Sequence, residues 1–173
     1  MVVARVLFVV AAITLAGRWI SADTGTRVPV LDDVIGRQIL SLRLVARGDA
    51  SAIKETFRAP SRQLLVVFSA GCSVSRSARP KWEDLTERLR RDVPVYGLSV
   101  DDPAAVDHGV RFFVNDRIVE RHADPLELRR LLPVDHLPIT LVLSPDGTVE
   151  FAEIGVPTQR GVRVLARMLN ARL

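Results

Sequence analysis

QLLVVFSAGCSVSRSARPKW, residues 63–82, decides how this chain folds. It opens on Leu64-Leu65-Val66-Val67-Phe68, an apolar run with the length and β-branched content of a buried strand. Ser69-Ala70-Gly71 then breaks the run with small residues suited to a tight turn. Cys72, the one cysteine of the chain, comes next. Beyond it Ala78, Trp82, Leu85 and Leu89 recur at four, three and four residues, which is one face of a helix. The stretch therefore predicts a buried strand, a turn and a helix, with Cys72 in the first helical turn. Free backbone N–H groups and the positive end of the helix dipole favour a thiolate there.

Downstream, Val93 to Val100 reads as a second buried strand that ends at Asp101-Asp102-Pro103, the start of a short helix. Val110 to Val114 reads as a short extended segment, and Asn115 to Arg121 is ambiguous. Asp124-Pro125-Leu126-Glu127 carries the marks of a helix start: cap, proline, then glutamate in the first turn. Leu128, Leu131 and Leu132 give that helix its apolar face, and Pro133 stops it. Ile139 to Leu143 and Thr148 to Ile154 flank Ser144-Pro145-Asp146-Gly147 and read as an antiparallel hairpin. Thr158 caps a last helix whose core face is Val162, Leu165, Ala166 and Leu169. Upstream, Val28 to Asp33 and Gln38 to Ala46 flank Val34-Ile35-Gly36-Arg37 and read as an N-terminal β-hairpin. Asp49 is placed to cap a short helix through Arg58, with Ile53 and Phe57 four apart. Strands alternating with helices, then a hairpin and a final helix, predict a three-layer α/β/α sandwich.

The 173 residues make one domain and an extra segment, and 48% hydrophobic content is ample for one core. The net charge of +4 comes from 24 basic and 20 acidic residues, and only Lys54 and Lys81 among the basic ones are not arginine. They are scattered among acids and not interleaved with aromatics, a pattern of solvated helix faces and not of nucleic-acid binding. A single cysteine excludes an intramolecular disulfide and any Cys-rich zinc site, and no metal or other cofactor is expected. At the N-terminus Val6 to Gly17 is uncharged for twelve residues, with Arg5 before it and Arg18-Trp19 after it. Residues 1–20 read as a signal anchor or a cleaved signal peptide, with a buried core helix as the alternative. Residues 21–27 then form a linker and 28–173 the domain. Either of the first two readings puts the domain outside the cytoplasm, tethered to the membrane or, after cleavage, secreted.

The chain resembles the thioredoxin-like superfamily, and within it the membrane-anchored TlpA-like group. That superfamily places a reactive cysteine after an apolar strand, in a C-x-x-C motif that opens a helix. Here the motif is Cys72-Ser73-Val74-Ser75, so C-x-x-S. Pro80 stands at the superfamily's spacing for a kinking proline, eight residues after the cysteine. His136-Leu137-Pro138-Ile139 and the hairpin after it match the superfamily's cis-proline and the strand that follows, which implies that Pro138 faces Cys72. Extra N-terminal strands are a mark of the TlpA-like group. The resemblance spans roughly residues 28–173. This chain departs from the pattern at Ser75, at Gly71 where a Trp is usual, and at Val66, a position acidic in many thioredoxins.

Cys72 is thus the candidate nucleophile, with Ser75 as a hydrogen-bond donor to its thiolate and Arg76 or Arg79 as a nearby positive charge. Gly71, Ser73, Val74, Leu137 and Pro138 are the candidate substrate-binding residues. A serine at position 75 cannot attack a mixed disulfide, so the expected chemistry is monothiol exchange with a protein client, resolved by an outside thiol. The bland readings are a small buried Cys72, a serine left by loss of catalysis, and an ordinary trans-proline at 138. His136, His108 and His122 read as loop or helix-end residues, His136 with a second reading as a base beside Cys72. Two other functions stay open. One is a non-catalytic binding module. The other is a peroxiredoxin-type peroxidase, suggested by Ser69-Ala70-Gly71-Cys72 against the Thr-x-x-Cys spacing of that related fold.

Overall fold

The computed structural model describes residues 31, 33–46, 52–103 and 111–171. The apolar run at 6–17, the linker at 21–27 and the segment 28–30 lie outside the described residues, as do Asp49, the segment after Pro103 and His108. In chain order the elements are β1 (Ser41–Ala46), β2 (Ala52–Thr56), β3 (Gln63–Phe68), α1 (Ser73–Arg88), β4 (Val95–Ser99), β5 (Ile118–Ala123), α2 (Pro125–Arg129), β6 (Ile139–Leu143), β7 (Val149–Ile154) and α3 (Gln159–Met168). They form one sheet in the order β2-β1-β5-β4-β3-β6-β7.

All six residues of β3 are buried. Its neighbours explain why: β4 pairs with it in parallel on one side and β6 antiparallel on the other. Alternate side chains then feed two cores. Leu64, Val66 and Phe68 pack with Trp82, Leu85 and Leu165 under α1 and α3. Leu65 and Val67 pack with Leu128, Leu132, Ile39 and Val34 on the other face, under α2 and the chain before β1. This is the three-layer sandwich expected from the sequence. Gln63, the one polar residue of β3, is buried because its side-chain N–H donates to Phe57 O at 3.1 Å. Among the described residues no helix is long and apolar enough to cross a membrane.

The N-terminal hairpin exists but is built from other strands than expected. β1 pairs antiparallel with β2, Leu44 opposite Ile53, and with β5 on its other side, while the stretch expected to pair with it, 28–33, lies mostly outside the described residues. The stretch 52–56, expected to be helical, is therefore a strand. Its spacing of Ile53 and Phe57 is the helical signal, yet only Phe57 is buried and Ile53 is 41% exposed. Short edge strands are mostly exposed, so their apolar period carries little information. Residues 111–114 form no strand; their backbone is held by side chains, with Glu120 accepting from Phe112 N and Phe113 N and Glu83 from Val114 N. The ambiguous stretch resolves to β5, and His122 lies buried within it and not in a loop. α1 ends at Arg88, and the arginines that follow it, Arg90 and Arg91, do not bond its last carbonyls. Arg117 does, donating to the carbonyls of Thr86, Leu89 and Arg90.

The β6–β7 turn locks the extension onto the sheet. Gly147 has φ +88°, and Ile39 N donates to its carbonyl at 2.8 Å. A Cβ there would lie 2.8 Å from Ile39 O and 3.0 Å from Phe57 O. Gly147→Ala is expected to destabilise the fold by about 1–3 kcal/mol. The midpoint of chemical denaturation reads this; an unchanged midpoint would show that the turn relaxes without loss.

Candidate active site around Cys72

β3 ends at Phe68, and Cys72 N donates back to Ser69 O at 3.1 Å, closing the turn. Cys72 is the N-cap of α1, with extended backbone (φ −75°, ψ 122°) and no side-chain cap of its own. Its sulfur thus stands where the helix leaves N–H groups unpaired. The N–H groups of Val74 and Ser75, in the first turn, are among these. The thiol is half-buried and the cysteine is free. It is held below its ordinary pKa chiefly by the Ser75 N–H, against partial burial, with further lowering from the Ser75 hydroxyl, the Val74 N–H and the Arg76 charge.

Ser75 is fully buried on the inner face of α1. Its hydroxyl has no hydrogen-bond partner. The hydroxyl contributes to lowering the Cys72 pKa, because a thiolate is an acceptor it could use. A polar group buried without a partner is costly, so the buried hydroxyl and the charged sulfur favour each other.

Across from α1, the Leu137-Pro138 peptide is cis. The Cys72 S–H reaches the Leu137 carbonyl at 4.0 Å, in a long contact. The structure thus brings together Cys72, Ser75, Leu137 and the residues that adjoin them. Gly71, Ser73 and Val74 are exposed beside the sulfur, Leu137 is half-buried and Pro138 is buried. Of the two arginines read as nearby charges, Arg76 stays at the site, donating to Ala70 O at 2.9 Å and Gly71 O at 2.8 Å. Arg79 turns away, donating to Phe112 O and lying 5.9 Å from the Phe112 ring centre. His136 is exposed in the loop before β6.

One contributor escaped the sequence reading. Asp101, read only as part of a helix start, accepts from Ser69 Oγ at 2.6 Å and Ala70 N at 2.7 Å. The signal was its place just past the end of β4, because β3 and β4 are parallel and their C-terminal ends meet. The Ser69 hydroxyl is therefore directed at Asp101. Among the described residues no group of three or more His, Cys, Asp or Glu side chains is placed to hold a metal ion.

No protein-family model matches the chain, and no curated protein matches its sequence. Solved structures do resemble it. A thio-disulfide isomerase from Thermus thermophilus superposes with a TM-score of 0.59 at 17% identity, covering 80% of this chain and 99% of that one. A peroxiredoxin-like protein from Aquifex aeolicus gives 0.59 at 12% identity, over 78% and 86%. The exposed lipoprotein thioredoxin of Streptococcus pneumoniae gives 0.57 at 10% identity, over 73% and 98%. At these identities the likeness shows the fold, a thioredoxin-like α/β sandwich.

Proposed function

We propose that this thioredoxin-like domain performs monothiol thiol–disulfide exchange through Cys72 on a protein client outside the cytoplasm, held to the membrane by its N-terminal apolar segment. The observation that carries the reading is the thiolate cradle. Cys72 caps α1, the Ser75 and Val74 N–H groups of the first turn lower its pKa, and the buried Ser75 hydroxyl beside it has no hydrogen-bond partner. Gly71, Ser73 and Val74 leave one side of the sulfur open. Leu137 beside cis-Pro138 offers backbone to an extended client segment.

In the reaction the Cys72 thiolate attacks one sulfur of a client disulfide. The client S–S bond breaks, a client thiolate leaves with the electron pair and takes a proton, and a Cys72–client disulfide remains. An outside thiolate then attacks Cys72 Sγ, freeing the client as a dithiol, and a second outside thiol restores Cys72. The client is reduced by two electrons and two outside thiols become one disulfide. The tether and the compartment rest on the uncharged run at 6–17 with Arg5 ahead of it. That a structural neighbour is itself an exposed lipoprotein accords with this placement.

The peroxidase reading is less favoured, because the Ser69 hydroxyl is engaged by Asp101. The test is the pH dependence of Cys72 alkylation, followed by incubation with a disulfide-bonded peptide and mass analysis. The expected midpoint lies below the ~8.5 of a free cysteine, with a one-peptide adduct on Cys72. A midpoint at or above that value, with no adduct, would sink exchange and leave a binding module on a redox scaffold.

A further inference from the structure

The turn that carries Cys72 is fixed by a carboxylate from outside its own strand–helix unit. Asp101 follows β4, and its two oxygens accept three hydrogen bonds: Ser69 Oγ at 2.6 Å, Ala70 N at 2.7 Å and Ser99 Oγ at 3.1 Å. Asp101 is itself anchored. Its N–H donates to Ser99 Oγ at 3.2 Å, and Val100 N donates to Phe68 O at 3.0 Å. From the other side Arg76 takes the Ala70 and Gly71 carbonyls. The turn needs such holding, because Ser69, Ala70 and Gly71 are small and Gly71 is exposed. Side-chain packing alone leaves it loose.

We propose that Asp101 is a positioning residue for the Cys72 thiolate. By fixing Ser69 and Ala70 it sets the path of the chain into α1, and so keeps the Val74 and Ser75 N–H groups aimed at the sulfur. The inference rests on the exchange reading of Cys72. Of the charged groups, Asp101 and Arg76 bond the turn itself, and Arg76 also acts on Cys72 by its charge; Asp102 follows Asp101 in the chain, and His136 precedes Leu137, whose carbonyl the Cys72 S–H reaches. This set makes the sign of the effect diagnostic. A carboxylate acting by its charge raises the pKa of a nearby thiol, so neutralising it lowers the thiol pKa. A carboxylate acting by position does the opposite: without it the thiolate loses aligned N–H donors and the thiol pKa rises.

The experiment is the pH profile of Cys72 alkylation in the full-length protein, its Asp101→Asn variant and its Ser69→Ala variant, with thermal unfolding followed in parallel. Asparagine at 101 keeps one acceptor and turns an N–H₂ group toward donors. Its expected result is a midpoint raised by about one unit, which slows alkylation at neutral pH about tenfold. Ser69→Ala removes one of the three bonds and is expected to shift the midpoint the same way by less. A folded Asp101→Asn protein whose midpoint is unchanged or lowered overturns the proposal. If that variant does not fold, an unchanged midpoint in Ser69→Ala overturns it and a raised one supports it. A parent protein with an ordinary midpoint defeats the exchange reading itself, and the positioning role with it; a lowered parent midpoint with unmoved variants defeats the positioning role alone.

Discussion

Ser75→Cys is expected to convert a thiol that holds its client into one that releases it. Ser75 stands three residues after Cys72, the N-cap of α1, and its N–H and hydroxyl both lower the Cys72 pKa. Side chains three apart on a helix lie roughly 5–6 Å apart at Cβ, near enough for a small rotation to bring two sulfurs into bonding range. In the parent protein a Cys72–client disulfide persists until an outside thiol arrives. In the variant the new thiolate attacks Cys72 Sγ, the client sulfur leaves with the electron pair, and an intramolecular disulfide forms. The attack is unimolecular, so release without added thiol is expected to speed up by at least about 10²-fold, well within what proximity supplies. The readout is the lifetime of a purified peptide adduct, with a product two hydrogens lighter than the reduced variant. An adduct as long-lived in the variant as in the parent would mean that the buried position 75 cannot turn toward the sulfur. Monothiol behaviour would then belong to the geometry and not to the serine.

The residues around Cys72 show what the sequence could and could not convey. The strand–turn–helix was legible because β3 is buried on both faces and α1 on one, so each has a clear apolar period. Asp124 and Thr158 were legible as caps for a local reason: their side chains accept from N–H groups two and three residues on. The edge strand β2 was not, since its residues face mostly water. Asp101 was not, since its three donors include two that lie more than thirty residues away. Arg117 escaped for the same reason, its acceptors lying at 86, 89 and 90. Contacts of that kind are set by which strand ends meet, and sheet order is not written in any local period. Position 75 is a mixed case. The serine could be read as a donor to the thiolate, but that it is fully buried with no other partner is a property of the packed helix.

Trp82 ties the two halves of the site together, and its loss is expected to be the most damaging single change to the fold. It is fully buried between α1 and the sheet, edge-on to Phe113 with ring centres 6.1 Å apart. Its indole N–H donates to Thr140 Oγ1 at 3.1 Å, and Thr140 is itself fully buried on β6, opposite Val66 and two residues after cis-Pro138. Trp82→Ala empties the centre of the α1–α3 core, which costs about 3–5 kcal/mol. It also strands the Thr140 hydroxyl, at about 1–3 kcal/mol more. Against a total stability of roughly 5–15 kcal/mol, the variant sits close to unfolding. Trp82→Phe separates the two terms: most of the ring stays, the hydrogen bond goes, and a loss of about 1–3 kcal/mol is expected. Equilibrium urea unfolding of the three proteins measures both. The same bond joins α1, which carries Cys72, to β6, which follows Leu137. Trp82→Phe is therefore expected to slow adduct formation at Cys72 while the protein remains folded. If Trp82→Ala unfolds within about 1 kcal/mol of the parent, the core has repacked around the gap and the coupling of α1 to β6 runs through other residues.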